Sequence, residues 1–173
     1  GSQLFNQATA GIEGRIEAFD RFGETLAAGD LAAHGYDALA IGTPNEAIGQ
    51  KDEAGMVTVL FGGKMGLSAH DSLALHQDKS RIPGPAQADH RFGASLAVGY
   101  FEQTNGSGLA IGIPNERSGY GKVFIVNFYF YRQLVKKVEI VESPSHFSTG
   151  IGANLAAANF NGDSYDDLVM TAE

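Results

Sequence analysis

The sequence predicts an all-β protein assembled from one unit of four short strands that returns along the chain. Three observations carry this: glycines scattered between short apolar runs, runs too short for typical helices, and a motif that recurs in register. The 23 glycines stand against 5 prolines, and glycine at the ends of apolar runs marks tight turns between strands. A helical bundle would not need them. With 173 residues, 43% hydrophobic and 18% charged, the chain has the balance of a globular domain with a sizeable core.

The recurrence is the strongest signal, because a missed repeat mis-assigns the whole fold. Aligning "FNQATAGIEGRIEAFDRFGETLAAGDL" with "LHQDKSRIPGPAQADHRFGASLAVGYF" pairs Gln7 with Gln77, Ile12 with Ile82, Gly14 with Gly84 and Phe22-Gly23 with Phe92-Gly93, at an offset of 70 residues. A third copy, "STGIGANLAAANF", pairs Ile151-Gly152 with Phe92-Gly93 at an offset of 59. The "ALAIGTPNE" of the first copy recurs as "GLAIGIPNE" and, more loosely, as "DLVMTAE".

Within a copy the runs read as strands in order. "ETLAAG", "YDALAIG" and "GMVTVLFGG" in the first copy, then "ASLAVGYF", "GLAIGIP" and "GKVFIVNFYF" in the second, are rich in β-branched, aromatic and small residues. "QLVKKVEIVE" adds a fourth strand to the second copy, with Leu134, Val138 and Ile140 partly alternating with charges. The matching run around "SLALH" is weaker, and "FGGKMG" before it reads as a hairpin turn. In "VFIVNFYFY", Val123 to Tyr131, both alternating faces are apolar, which suits a strand packed between neighbouring units or, alternatively, an exposed aromatic edge that meets a partner. The small residues of "LAAG", "LAVG" and "LAAA" suit inner strands that crowd near the axis of a radial array. Four strands per unit and units of about 60 to 70 residues therefore predict propeller blades.

The strings "RFGETLAAGD…YDALAIGTPNE", "RFGASLAVGY…GLAIGIPNE" and "GIGANLAAANFNGDSYDDLVM" resemble FG-GAP repeats, the units of the integrin α-subunit type of β-propeller. The resemblance covers nearly the whole chain. It implies four-stranded antiparallel blades, about two complete with parts of two others. Residues 1–2 read as a cloning scar and 3–20 as the last strand and connection of a preceding blade. Repeats then span 21–90, 91–150 and, in part, 151–173.

In the third copy, "NFNGDSYDDL" sets Asn159, Asn161, Asp163 and Asp167 at alternating positions around a glycine. A tight loop of this kind turns oxygens inward onto a hard cation, and calcium takes 6 to 8 of them. The resemblance implies a calcium loop of the form D-x-[DN]-x-D-G-x-x-D here, with the backbone carbonyl of Tyr165 as a further ligand. Asn159 replaces an aspartate and Ser164 a glycine of that form, so a weak site is expected, roughly 10⁻⁴ to 10⁻³ M. The first copy keeps Asp30 but has Ala32, His34 and Ala38, and the second offers Tyr100, Glu102, Thr104 and Gly108. Both read as metal-free turns, with Asp30 and Asp37 as turn-forming or solvated residues.

Other chemistry is absent from the pattern. A net charge of −8 does not favour nucleic acid or an anionic membrane surface. There are no cysteines, hence no disulfides, zinc thiolates or thiol nucleophiles. No run reaches the roughly 18 apolar residues of a membrane span. His34, His70, His76, His90 and His146 show no metal-ligand spacing and read as surface or turn residues. "NGS" at Asn105 to Ser107 matches a glycosylation sequon. No nucleophile elbow, phosphate loop or separated carboxylate pair is visible.

Two function classes follow. The resemblance implies a secreted or surface-exposed, non-enzymatic adhesion or recognition module for protein or glycan ligands. The alternative is an accessory propeller domain of a larger secreted enzyme, such as a lipase or glycan hydrolase, whose catalytic part lies outside this chain. Either way the chain is expected to belong to a larger propeller or to self-associate.

Overall fold

The computed structural model describes residues 1–102, 106–129, 135–142 and 150–172. Thr104, Asn105, Phe130, Tyr131, Leu134 and His146 of the predicted features lie outside those residues. The first sheet is antiparallel, in the order β1 (Thr25–Gly29), β2 (Ala38–Thr43), β3 (Met56–Gly63), β4 (Gly66–Leu75). The second repeats it with β5 (Ser95–Gly99), β6 (Gly108–Ile113), β7 (Lys122–Phe128) and β8 (Val135–Val141). β9 (Leu155–Ala158) and β10 (Asp167–Met170) pair as the start of a third. The all-β, blade-like architecture is the one expected.

Local chemistry explains the elements. Gly63 pairs with Gly66 across Lys64-Met65, and Gly66 adopts φ +99°, so "GGKMG" closes the β3–β4 hairpin. β4 begins at Gly66, earlier than the run around "SLALH" indicates. Its first half pairs with β3, and Leu67 and Ala69 pack against Ile12, Ile41 and Leu60, while His70 and Asp71, which follow them, are exposed and mask the pattern. β7 is buried on both faces at Val123, Phe124, Val126 and Phe128, as its double apolar pattern requires.

Residues 4–7 of the segment 3–20, read as the last strand of a preceding blade, form no strand here: a strand exists through its ladder, and only the Gln3 side chain imitates one, donating to the Leu67 carbonyl at 3.0 Å and accepting from the Leu67 N–H at 2.9 Å. The segment Glu116–Gly119 closes one tight turn in which Arg117 and Ser118 adopt φ of 55° and 60°.

The blades are stapled by bonds that recur from copy to copy. Asp89, Arg91 and Phe92 donate their N–H groups to the carbonyls of Asp52, Glu53 and Ala54, each at 2.9 Å. Between the second and third blades, Gly150 and Ile151 donate likewise to Gly119 and Tyr120. The Thr25 hydroxyl donates to the Gly93 carbonyl at 2.8 Å and the Ser95 hydroxyl to that of Gly152 at 2.5 Å. This geometry explains the glycine that follows Phe92. Gly93 holds φ +86°, and a Cβ there would stand 2.6 Å from Val57 Cγ2. Between the blades lies the main core, where Val57, Val59, Leu96, Ile111, Phe92 and Phe124 meet, the last two rings edge to face at 6.2 Å.

Candidate functional site

The third loop connects β9 to β10, and its side chains brace its own backbone. Asn159 Oδ1 accepts from Gly162 N–H at 2.6 Å, Asp163 Oδ1 from Tyr165 N–H at 2.7 Å and Asp167 Oδ2 from Phe160 N–H at 3.0 Å. The second oxygens of the two carboxylates turn toward one point, occupied by the Asn161 amide nitrogen at 3.0 Å from Asp163 Oδ2 and 3.3 Å from Asp167 Oδ1. A neutral NH₂ thus sits between two anions where a cation would balance them. Asn161 Oδ1 accepts the Asp163 N–H at 2.8 Å. Two carboxylate oxygens, Asp163 Oδ2 and Asp167 Oδ1, converge there, while the side-chain oxygens of Asn161 and Asn159 accept backbone N–H groups. Asp166 does not contribute, since its carboxylate accepts the Tyr100 N–H at 2.7 Å. Among the described residues no group of three His, Cys, Asp or Glu side chains could hold a metal, so the loop offers two carboxylates and depends on neutral oxygens for the rest.

Ser164 is unstrained: the left-handed residue of the loop is Gly162, at φ +78°. Stacked rings of Tyr100 and Tyr165, 5.8 Å apart, tie the loop to the second blade. The first loop is the turn its sequence implies, with Asp30 accepting from the N–H groups of His34 and Gly35 at 3.1 and 2.8 Å. In the second, Glu102 accepts from the Asn127 amide at 2.9 Å.

A second polar site was not anticipated. The glutamate of each "PNE" is buried, Glu46 at 3% and Glu116 at 7% exposure. Each accepts the amide of the glutamine matched by the repeat: Gln7 to Glu46 at 2.6 Å and Gln77 to Glu116 at 2.8 Å. In the second copy Lys122 neutralises the carboxylate at 2.5 Å and Glu142 flanks the ammonium at 3.4 Å. His90 extends the chain through Gln77 Oε1 at 2.8 Å.

Strand register places Met56 where Lys122 stands, because Thr43 faces Met56 as Ile113 faces Lys122. The repeat places Asp20 where His90 stands. Burial holds the Glu46 carboxyl above the usual range; the Arg15 N–H and Gln7 amide pull it down, against Asp20 and Glu17.

His76 and His90, expected at the surface, are buried, and burial pulls both below the ordinary value of 6.5. They fold neutral, so the stability tied to them is full above 6.5 and is lost as pH falls below it. The signal that could have found the buried glutamates was present: Gln7 and Gln77 recur at the same offset as Glu46 and Glu116.

No family model matches the chain. It is similar to phosphatidylinositol-glycan-specific phospholipase D of Bos taurus and of Homo sapiens, 30% identical over 156 residues in each, and of Rattus norvegicus, 28% over 158. These alignments take in 88 to 89% of this chain and 18 to 19% of the relatives. The chain therefore spans less than a fifth of the length of the curated relatives it matches.

Proposed function

We propose that this chain is a non-catalytic propeller segment of the FG-GAP type, the accessory part of a larger secreted enzyme, with one calcium ion in its third loop. The observation that carries the reading is the alignment along 88 to 89% of the chain with proteins named as phospholipases D. The segment they share here is built of blades, and its carboxylates brace loops or neighbouring side chains. The open first blade supports membership of a larger propeller. Leu26 is 59% exposed, whereas its repeat partner Leu96 is 9% exposed. The N–H groups of Arg21 and Phe22 have no partner among the described residues, yet those of Arg91 and Phe92 bond to the first blade. A preceding unit, from the same protein or a second copy, would complete that face.

Calcium would be held by Asn159, Asn161, Asp163 and Asp167 with the Tyr165 carbonyl, and would stiffen the loop against Tyr100. The adhesion reading is favoured by Phe19, 86% exposed at φ +75°, a large apolar side chain presented to protein or glycan ligands.

Calorimetric titration after chelation should give one calcium site, with Kd roughly 10⁻⁴ to 10⁻³ M, absent in Asp163→Ala. The chain should not cleave phosphatidylinositol-glycan substrates at any calcium level. Absence of heat up to several millimolar would remove the calcium site. Turnover that one substitution within this chain abolishes would overturn the non-catalytic assignment.

A further inference from the structure

The first blade carries a cavity of about 480 Å³ beside the buried Glu46, lined also by Glu13, Arg15, Glu17, Met56 and His76. We infer that this cavity binds an organic ammonium ion, the protonated form of a primary alkylamine, with Glu46 as its counter-ion.

The second copy supplies the comparison within one molecule. There the equivalent glutamate, Glu116, holds the Lys122 ammonium at 2.5 Å, with Glu142 at 3.4 Å on the far side. In the first copy the glutamate and its glutamine are kept, and the ammonium is gone. Met56 occupies the position of Lys122, and His76 follows Leu75 in β4 as Glu142 follows Val141 in β8.

Three further changes point the same way. Glu13, Glu17 and Asp20 stand where the second copy has Pro83, Gln87 and His90. The loop after the glutamate is four residues longer than in the second copy, from Ala47 to Ala54 instead of Arg117 to Tyr120, and Ala47, Ile48 and Gly49 of that longer loop line the cavity. The first copy has therefore lost the Lys122 ammonium and the Glu142 carboxylate, and has gained Glu13, Glu17, Asp20 and Arg15, the last where the second copy has Pro85.

Chemistry selects the ligand class. The acidic groups do not converge as a metal cage among the described residues, so the cation must carry its own hydrogen-bond donors, as an ammonium does. Met56 and Ile48 give an alkyl stem an apolar wall. Of the nearby cationic groups, Lys79 is held by the lining Glu13 at 2.6 Å and Lys51 by Asp78 at 2.6 Å, and Arg15 itself lines the cavity. Arg15 makes no ion pair among the described residues, and its backbone N–H donates to Glu46 Oε1 at 3.3 Å. Burial keeps His76 neutral.

The probe is the n-butylammonium ion, the lysine side chain as a free molecule, added as its chloride against sodium chloride at equal ionic strength. The readout is the amide resonance of residue 15. A saturable shift is expected, weakened about tenfold or more in Glu46→Gln and in Met56→Lys, since a buried charge-assisted bond is worth that factor or more. Arg15→Ala should keep the binding. Unchanged amide shifts at Arg91 and Phe92 verify folding, and if Met56→Lys fails that check, the isosteric Glu46→Gln decides alone. A shift no larger than sodium's, binding undiminished in Glu46→Gln, or binding seen only in Arg15→Ala would overturn the assignment.

Discussion

Gly112→Ala should destabilise the chain by about 3 kcal/mol or more, whereas Gly63→Ala should change stability by less than about 0.5 kcal/mol. The difference is steric. Gly112 lies in β6 with an ordinary strand conformation, and a Cβ there would stand 2.1 Å from the Gly152 carbonyl oxygen and 2.2 Å from Ser95 Oγ. The serine could rotate only by giving up its 2.5 Å bond to that same carbonyl. The carbonyl itself belongs to a residue at φ +87° whose N–H donates to Thr171. Relief therefore requires the second and third blades to separate. At Gly63 no atom lies within 4 Å of the added carbon. Denaturant unfolding of both variants checks this, and equal midpoints would show that the blades are not in the close contact described.

Lys122→Met reproduces in the second blade what the first carries naturally, and should cost about 3 kcal/mol. Lys122 and Glu116 have side chains 12% and 9% exposed, and removing the ammonium strands a carboxylate that the Gln77 amide alone cannot balance. Glu116→Gln in the same chain should recover much of the loss, because the stranded charge rather than the missing contact carries the cost. A single variant as stable as the parent, measured by the same unfolding, would mean that the pair is solvated and contributes little. The first blade lives with the methionine, its Glu46 carboxylate accepting the Gln7 amide and the Arg15 N–H.

The blades were legible because two periods coincided: glycine-bounded runs of strand length, and a motif returning at 70 and then 59 residues. Asp30 was legible as a turn former from its three mismatched ligand positions. Glu46 and Glu116 were not, because a carboxylate at the end of a strand ordinarily faces water, and its burial depends on a glutamine 39 residues away. His76 and His90 failed for the same reason: spacing along the chain describes one strand, while their burial is set by the segment that crosses from one blade to the next. The strand expected at residues 4–7, within 3–20, needed a neighbour that pattern cannot supply. In the third loop the sequence put the demanding backbone position at Ser164, whereas the chain turns at Gly162.

If the first face seats another unit, as proposed, residue-resolved hydrogen exchange on chain shown by sedimentation to be monomeric will show it. The amides of Arg21 and Phe22 should exchange near the unstructured rate while those of Arg91 and Phe92, bonded to Glu53 and Ala54, are protected by about a hundredfold or more. Fusing a further repeat unit ahead of residue 3 should bring Arg21 and Phe22 under the same protection. Strong protection of those two amides in the dilute monomer would contradict the account, since the first face would then be closed without a partner.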